Sequence, residues 1–152
     1  AYLDQKIVSE SPVWYSNVSW NNSVVKNSGN IMITQMAEFK NQLLPYYRGL
    51  GDKFQNCDIW PQLFVWSRGA YLPWHDDHGR DFASTIYLNK QWDPDDGGIF
   101  LYKDTADAIR GELPEYNKMV INDSKLEHHV TMIANMAKTH RISIQIWGKY
   151  QA

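Results

Sequence analysis

Arg141-Ile142-Ser143-Ile144-Gln145-Ile146-Trp147 is the stretch that decides how this chain folds. Three isoleucines alternate with Arg141, Ser143, Gln145 and Trp147. In an extended segment the isoleucines therefore share one face, and the polar and aromatic side chains share the other. Working outward, short aromatic and β-branched runs between turn residues predict further strands over residues 60–66, 83–88, 99–102, 118–121 and 129–133. Asp93-Pro94-Asp95-Asp96-Gly97-Gly98 is the clearest of the turns between them.

One segment reads as helix. Met32, Met36, Phe39 and Leu43 recur at the spacing of one helical face, Asn30 is placed to cap its start, and Pro45 predicts an end near Leu44. One helix followed by several short strands predicts a mainly β fold, a double-stranded β-helix (jelly roll) with a supporting N-terminal helical segment.

The chain has 152 residues, the length of a single domain spanning 1–152, with its motif-bearing core at about 58–150. Its 15 basic and 17 acidic residues nearly balance, which gives no electrostatic reason for a nucleic-acid or anionic-membrane partner. Cys57 is the single cysteine, so there is no disulfide framework and no multi-cysteine metal site. No run approaches the roughly 18 apolar residues of a membrane span, and no secretory n- and h-region opens the chain. These features predict a soluble domain of the cytoplasm or another reducing compartment. They leave the oligomeric state open.

The chemistry lies in a few polar residues. His75 and Asp77, in Trp74-His75-Asp76-Asp77-His78, are two apart and in an extended segment face the same way, able to share one metal ion. Asp76 and His78 point away. A second histidine pair follows at His128-His129; on a strand only one of the two can face a pocket, and the residues alone leave both open. His140 lies beside Arg141 and faces opposite to it, as a solvated or structural group. Two histidines with one carboxylate make an open-sided set that suits non-haem Fe(II). Arg141 shares its strand face with Ser143 and Trp147. An inward-facing arginine needs an anionic partner, and its planar fork suits a dicarboxylate.

At this point the chain resembles the Fe(II)/2-oxoglutarate-dependent dioxygenases, in their prolyl 4-hydroxylase-like branch. The resemblance runs from about Trp66 to Trp147. It rests on Gly69-Ala70-Tyr71-Leu72-Pro73-Trp74-His75-Asp76-Asp77, Tyr87-Leu88-Asn89-Lys90-Gln91-Trp92-Asp93, Gly97-Gly98-Ile99, Asn117-Lys118-Met119-Val120-Ile121, His128-His129-Val130 and Arg141-Ile142-Ser143-Ile144 with Trp147. The hypoxia-sensing prolyl hydroxylases look similar in the Tyr-Leu-Asn-Lys-x-Trp-Asp run and in an arginine seven residues before its tyrosine, here Arg80 and Tyr87. The first 55 residues carry no matching motif. The longer span from His128 to Arg141, Met132 in place of a frequent proline and Asn122 in place of a usual aromatic residue depart from the pattern.

The resemblance implies His75, Asp77 and His128 as iron ligands, the family's His-x-Val register selecting His128 over His129. It implies Tyr87 and Arg141, with Ser143, as holders of the far carboxylate of 2-oxoglutarate. Trp147 would line the pocket, and Arg80 would sit where the substrate passes. The implied enzyme uses Fe(II), 2-oxoglutarate and O2 to hydroxylate an aliphatic C–H, first of all a prolyl residue in a peptide or protein. A free amino acid or other small metabolite is the alternative substrate. A non-catalytic jelly-roll module that binds metal is the alternative outside enzymes, disfavoured because a structural site closes its coordination sphere.

Overall fold

The computed structural model describes residues 13–20, 23–123 and 125–151, with side chains from residue 31 onward. Its strands are β1 (Val13–Trp20), β2 (Ser23–Gln35), β3 (Asp58–Trp66), β4 (Leu72–His75), β5 (Phe82–Tyr87), β6 (Phe100–Lys103), β7 (Ile109–Glu112), β8 (Met119–Asn122), β9 (His128–Val130) and β10 (Arg141–Lys149). Helix α1 (Lys40–Arg48) is the one α-helix among the described residues. Two antiparallel sheets form, one of six strands in the order β1-β2-β3-β10-β5-β8 and one of four in the order β4-β9-β6-β7. This is the jelly roll expected from the strand pattern. No helix among the described residues is long and apolar enough to cross a membrane.

The alternation in β10 does what its sequence predicts. It pairs with β3 and β5 along its length, which makes it central to the large sheet. Its isoleucine face turns to α1: Ile146 is buried with Leu44, Tyr47, Phe54, Ile59 and Phe82. The Tyr47 hydroxyl and Ser84 Oγ share a hydrogen bond that pins the helix to the sheet. The other face of β10 looks inward, at the four-stranded sheet. Register places Trp60, Trp147, Ala83 and Asn122 in one transverse row, then Gln62, Gln145, Thr85 and Val120, then Phe64, Ser143 and Tyr87, then Trp66 beside Arg141. Between the sheets Ile31, Phe64, Trp66, Leu72, Phe100 and Val130 form the apolar filling.

The helix differs from the sequence expectation. Residues 30–35 belong to β2, and Met32 and Met36 pack with Leu63 and Val65 on the outer face of the large sheet. The ambiguity is arithmetic: a spacing of four is one helical turn, but it is also an even number, so Met36, one residue past the end of β2, falls on the strand face of Met32. Pro45 does not end α1; it is the sixth of nine residues, and the helix runs on to Arg48 with Gly49 as its cap. Proline there removes one intrahelical bond, the one its N–H would make to the Asn41 carbonyl, and the nine-residue helix tolerates that loss.

Candidate metal centre and co-substrate pocket

β4 and β9 lie side by side in the small sheet with His75 directly opposite His128, their ring centroids 4.3 Å apart. Asp77 follows in the turn after β4, closed by Arg80 N–H donating to the Asp77 carbonyl at 3.2 Å. One donor atom each from His75, Asp77 and His128 lie within 4.8 Å of one another, and Asp77 Oδ2 stands 3.4 Å from His128 Nε2. Asp76 turns outward and pairs with His78, as the alternation predicts.

Each imidazole is oriented from behind. His75 Nδ1 donates to the Pro73 carbonyl at 2.7 Å, and His128 Nδ1 donates to the Leu126 carbonyl at 2.9 Å. Both Nε2 atoms are left as lone-pair donors toward the centre, the tautomer a metal ligand needs. Asn122 sets the second of these. Its Oδ1 accepts from Leu126 N–H at 3.0 Å and its Nδ2 donates to the Leu126 carbonyl at 2.9 Å, so the carbonyl that steers His128 is itself clamped. Burial and the neighbouring His128 hold the His75 pKa below its usual value. It therefore stays neutral and ready to bind a cation. His129 occupies the opposite face of β9, against Trp74 and Tyr71.

The same inter-sheet cavity carries Arg141 on its wall. The guanidinium is buried, with Trp66 4.9 Å from it on one side and Tyr87 5.0 Å on the other. Arg141 Nε and Nη1 and the Tyr87 hydroxyl have no hydrogen-bond partner among the described residues. Burial pulls the Arg141 pKa down and pushes the Tyr87 pKa up, the arginine's charge partly offsetting the latter. A buried fork with two idle nitrogens beside an idle hydroxyl fits an anion, because such donors are costly to leave unmade. The donor set thus fits an iron ion at one end and a carboxylate at the other.

Residues of the Tyr87–Gly98 run build the surroundings of Arg141. Asn89 Nδ2 donates to the His140 carbonyl at 2.8 Å and Asn89 Oδ1 accepts from Ile142 N–H at 2.6 Å, gripping the backbone on both sides of Arg141. Trp92 Nε1 donates to the Gly97 carbonyl at 3.0 Å, fixing the turn whose Gly98 packs on the arginine stem. Ser143 Oγ accepts from Trp66 Nε1 at 3.2 Å. Between metal-binding end and arginine, Thr85 Oγ1 donates to Gln145 Oε1 at 2.6 Å. Sequence reasoning did not single out Thr85, Gln145, Trp66, Asn89 or Leu126 as site residues. Gln145 had a signal, since it shares the inward face with Arg141 and Ser143. Trp147 lies against Phe64, ring centroids 5.8 Å apart, beside the cavity rather than on its wall. Arg80 covers the half-exposed Trp60 at 5.1 Å, at the same end of the sheet.

A family model described as the 2OG-Fe(II) oxygenase superfamily matches residues 62–149. Among solved structures, a Pseudomonas putida prolyl-4-hydroxylase superposes with a TM-score of 0.66 at 18% identity, over 82% of this chain and 74% of that one. A Trichoplax adhaerens prolyl hydroxylase, in complex with a hypoxia inducible factor oxygen degradation domain peptide fragment, gives 0.72 at 17% identity, over 97% and 74%. A Burkholderia pseudomallei oxidoreductase of the 2OG-Fe(II) oxygenase family gives 0.66 at 13% identity, over 97% and 77%. No curated protein sequence matches the chain significantly.

Proposed function

Because the chain belongs to the 2OG-Fe(II) oxygenase superfamily, and is a dioxygenase using Fe(II), 2-oxoglutarate and O2, we propose that it hydroxylates a prolyl residue in a peptide or protein. The observation that carries the site is one cavity with a His–Asp–His cluster at one end and a buried arginine with idle donors at the other. The prolyl substrate is supported by the prolyl hydroxylases that share its fold, one of them in complex with a peptide. Residues 58–150 carry the catalytic core of what we take to be a single domain.

His75, Asp77 and His128 would hold the iron through two Nε2 atoms and a carboxylate oxygen, leaving the rest of the coordination sphere open. Bound there, Fe(II) would supply the oxidative chemistry, in which 2-oxoglutarate and O2 give succinate, CO2 and the hydroxylated product. The chain's own part is positioning. Arg141 would grip the far carboxylate in a two-pronged contact, with the Tyr87 hydroxyl as a further donor. Ser143, whose Oγ accepts from Trp66, still has its own proton to give. Phe64, Trp66, Leu72 and Val130 keep the cavity apolar and exclude water, which strengthens the charged contacts within it. Arg80 and Trp147 would meet the substrate chain where the large sheet opens near the metal ligands.

The test is succinate release from 2-oxoglutarate with Fe(II), alone and with prolyl peptides or free amino acids. Stimulation by prolyl peptides supports the reading, and stimulation by free amino acids alone replaces it with small-molecule hydroxylation. No turnover with intact Fe(II) binding leaves a metal-binding module.

A further inference from the structure

A second cavity of about 350 Å³ adjoins the catalytic one and shares Phe100, Val120 and Asn122 with it. It lies between the sheets on their open side, where β8 ends the large sheet and β7 ends the small one. Tyr102 and Leu126 add apolar wall, and the ion pair of Lys118 with Glu112, at 2.8 Å, stands at one end. Resting on the reading of a peptide hydroxylase, we propose that this slot takes the residues flanking the hydroxylated one, as an extended segment pairing with the free edge of β8.

Two independent features support a peptide here. The first is continuity: a chain in the slot passes Asn122 and Phe100 and so runs directly into the cavity that holds His128. The second is the orientation of the β8 backbone. Tyr87 N–H donates to the Lys118 carbonyl at 3.1 Å and the Tyr87 carbonyl accepts from Asn117 N–H at 2.9 Å, a bulged hydrogen-bonded site from which the ladder continues along β8. By the alternation of an antiparallel ladder Val120 and Asn122 also bond toward β5, while the N–H and C=O of Met119 and Ile121 point away from it. Among the described residues β8 pairs with no strand on that side. An edge strand with outward amides beside a cavity is a template for an added strand: backbone bonds give affinity and the walls select side chains. A volume of this size falls in the usual range of ligand pockets.

The probe is a pool of prolyl-centred hexapeptides, from which the member that most stimulates succinate release is carried forward. N-methylating its flanking amides one at a time should raise its KM at least tenfold at one position or more, with the KM for 2-oxoglutarate unmoved. Ile121→Pro, which deletes one outward N–H and is tolerated on an edge strand, should raise the peptide KM in the same way. In hydrogen exchange the peptide should protect the amides of Met119 and Ile121 in the wild-type protein. Stimulation by the peptide without protection there, and with no effect of N-methylation, overturns the slot but leaves the hydroxylase reading intact. Stimulation by free amino acids and by no peptide overturns both. If Ile121→Pro fails to fold, the N-methylated peptides on the wild-type chain decide the matter.

Discussion

Gly98 lies so close to Arg141 that a Cβ at position 98 would stand 2.5 Å from Arg141 Cδ and 2.8 Å from Ile133 Cδ1. Its φ of 68° is also one that L side chains rarely adopt. Gly98→Ala thus adds backbone strain of about 1–2 kcal/mol to an overpacking cost of about 1–3 kcal/mol. We expect Tm to fall by roughly 5–15 °C, and the KM for 2-oxoglutarate to rise as the guanidinium is pushed aside. An alanine variant with unchanged Tm and KM would show that the turn yields and that Arg141 does not depend on it.

Arg141→Lys keeps the charge but loses the two-pronged grip. Charge-assisted hydrogen bonds contribute about 1.5–3 kcal/mol each, so losing one raises the KM for 2-oxoglutarate roughly ten- to a hundredfold. Fe(II) affinity should stay as it is. An unaltered KM in a succinate-release titration would mean that the co-substrate is held elsewhere.

The two adjacent histidines make opposite predictions. His128→Ala should abolish Fe(II) binding in anaerobic calorimetry, as should His75→Ala and Asp77→Ala. His129→Ala removes a ring packed on Trp74 outside the cavity and should leave binding largely intact. The reverse result would invert the pocket face of β9.

Asn122→Leu keeps the size of the side chain and releases the Leu126 carbonyl that orients His128. Loss of such a supporting contact typically weakens metal binding about 10–100-fold, and that is the drop expected in calorimetry. An NMR shift of the His128 ring nitrogens would report the freed tautomer directly. Unchanged affinity and shifts would show that the loop holds Leu126 without Asn122.

Acid should destabilise the metal-free protein. Burial, with repulsion between the His75 and His128 rings were both to protonate, depresses the His75 pKa, and burial alone depresses that of His129. As pH falls through the ordinary value of 6.5, the unfolded chain takes up these protons first, so it binds more protons than the folded one. Stability is therefore complete above that pH and declines below it, until the folded pKa values are passed. A thermal-melt series from about pH 7 to pH 5 should show this fall, and His75→Asn should flatten part of it. Equal slopes in both proteins would assign the acid sensitivity elsewhere.

The legible parts of the chain were those whose signal is local. The alternation in residues 141–147 predicts a strand with two unlike faces, and the face that turns inward carries the Arg141, Ser143 and Gln145 side chains. His75 and Asp77 were visible as a pair because two residues suffice to set their phase. Met32 and Met36 misled because strand and helix share the spacing of four. β4 and β7 are only four residues each and carry glycine or proline, so no periodicity could develop in them. Asn89 and Asn122 act on backbone groups, Asn89 across 51 and 53 residues of sequence, and no pattern of side-chain types announces such a clamp.

The His75–Asp77–His128 cluster is carried by β4, β9 and the turn after β4, whereas Arg141 and Tyr87 stand on β10 and β5. The two halves of the site therefore belong to different walls of the sandwich, which apolar packing and the contacts of Asn122 with Leu126 and His128 already join. A small dicarboxylate held at both ends would act as a removable cross-tie between those walls. The stiffness of the whole barrel would then follow the supply of one metabolite, with the fold itself tightening when its fuel is abundant and slackening when it is scarce.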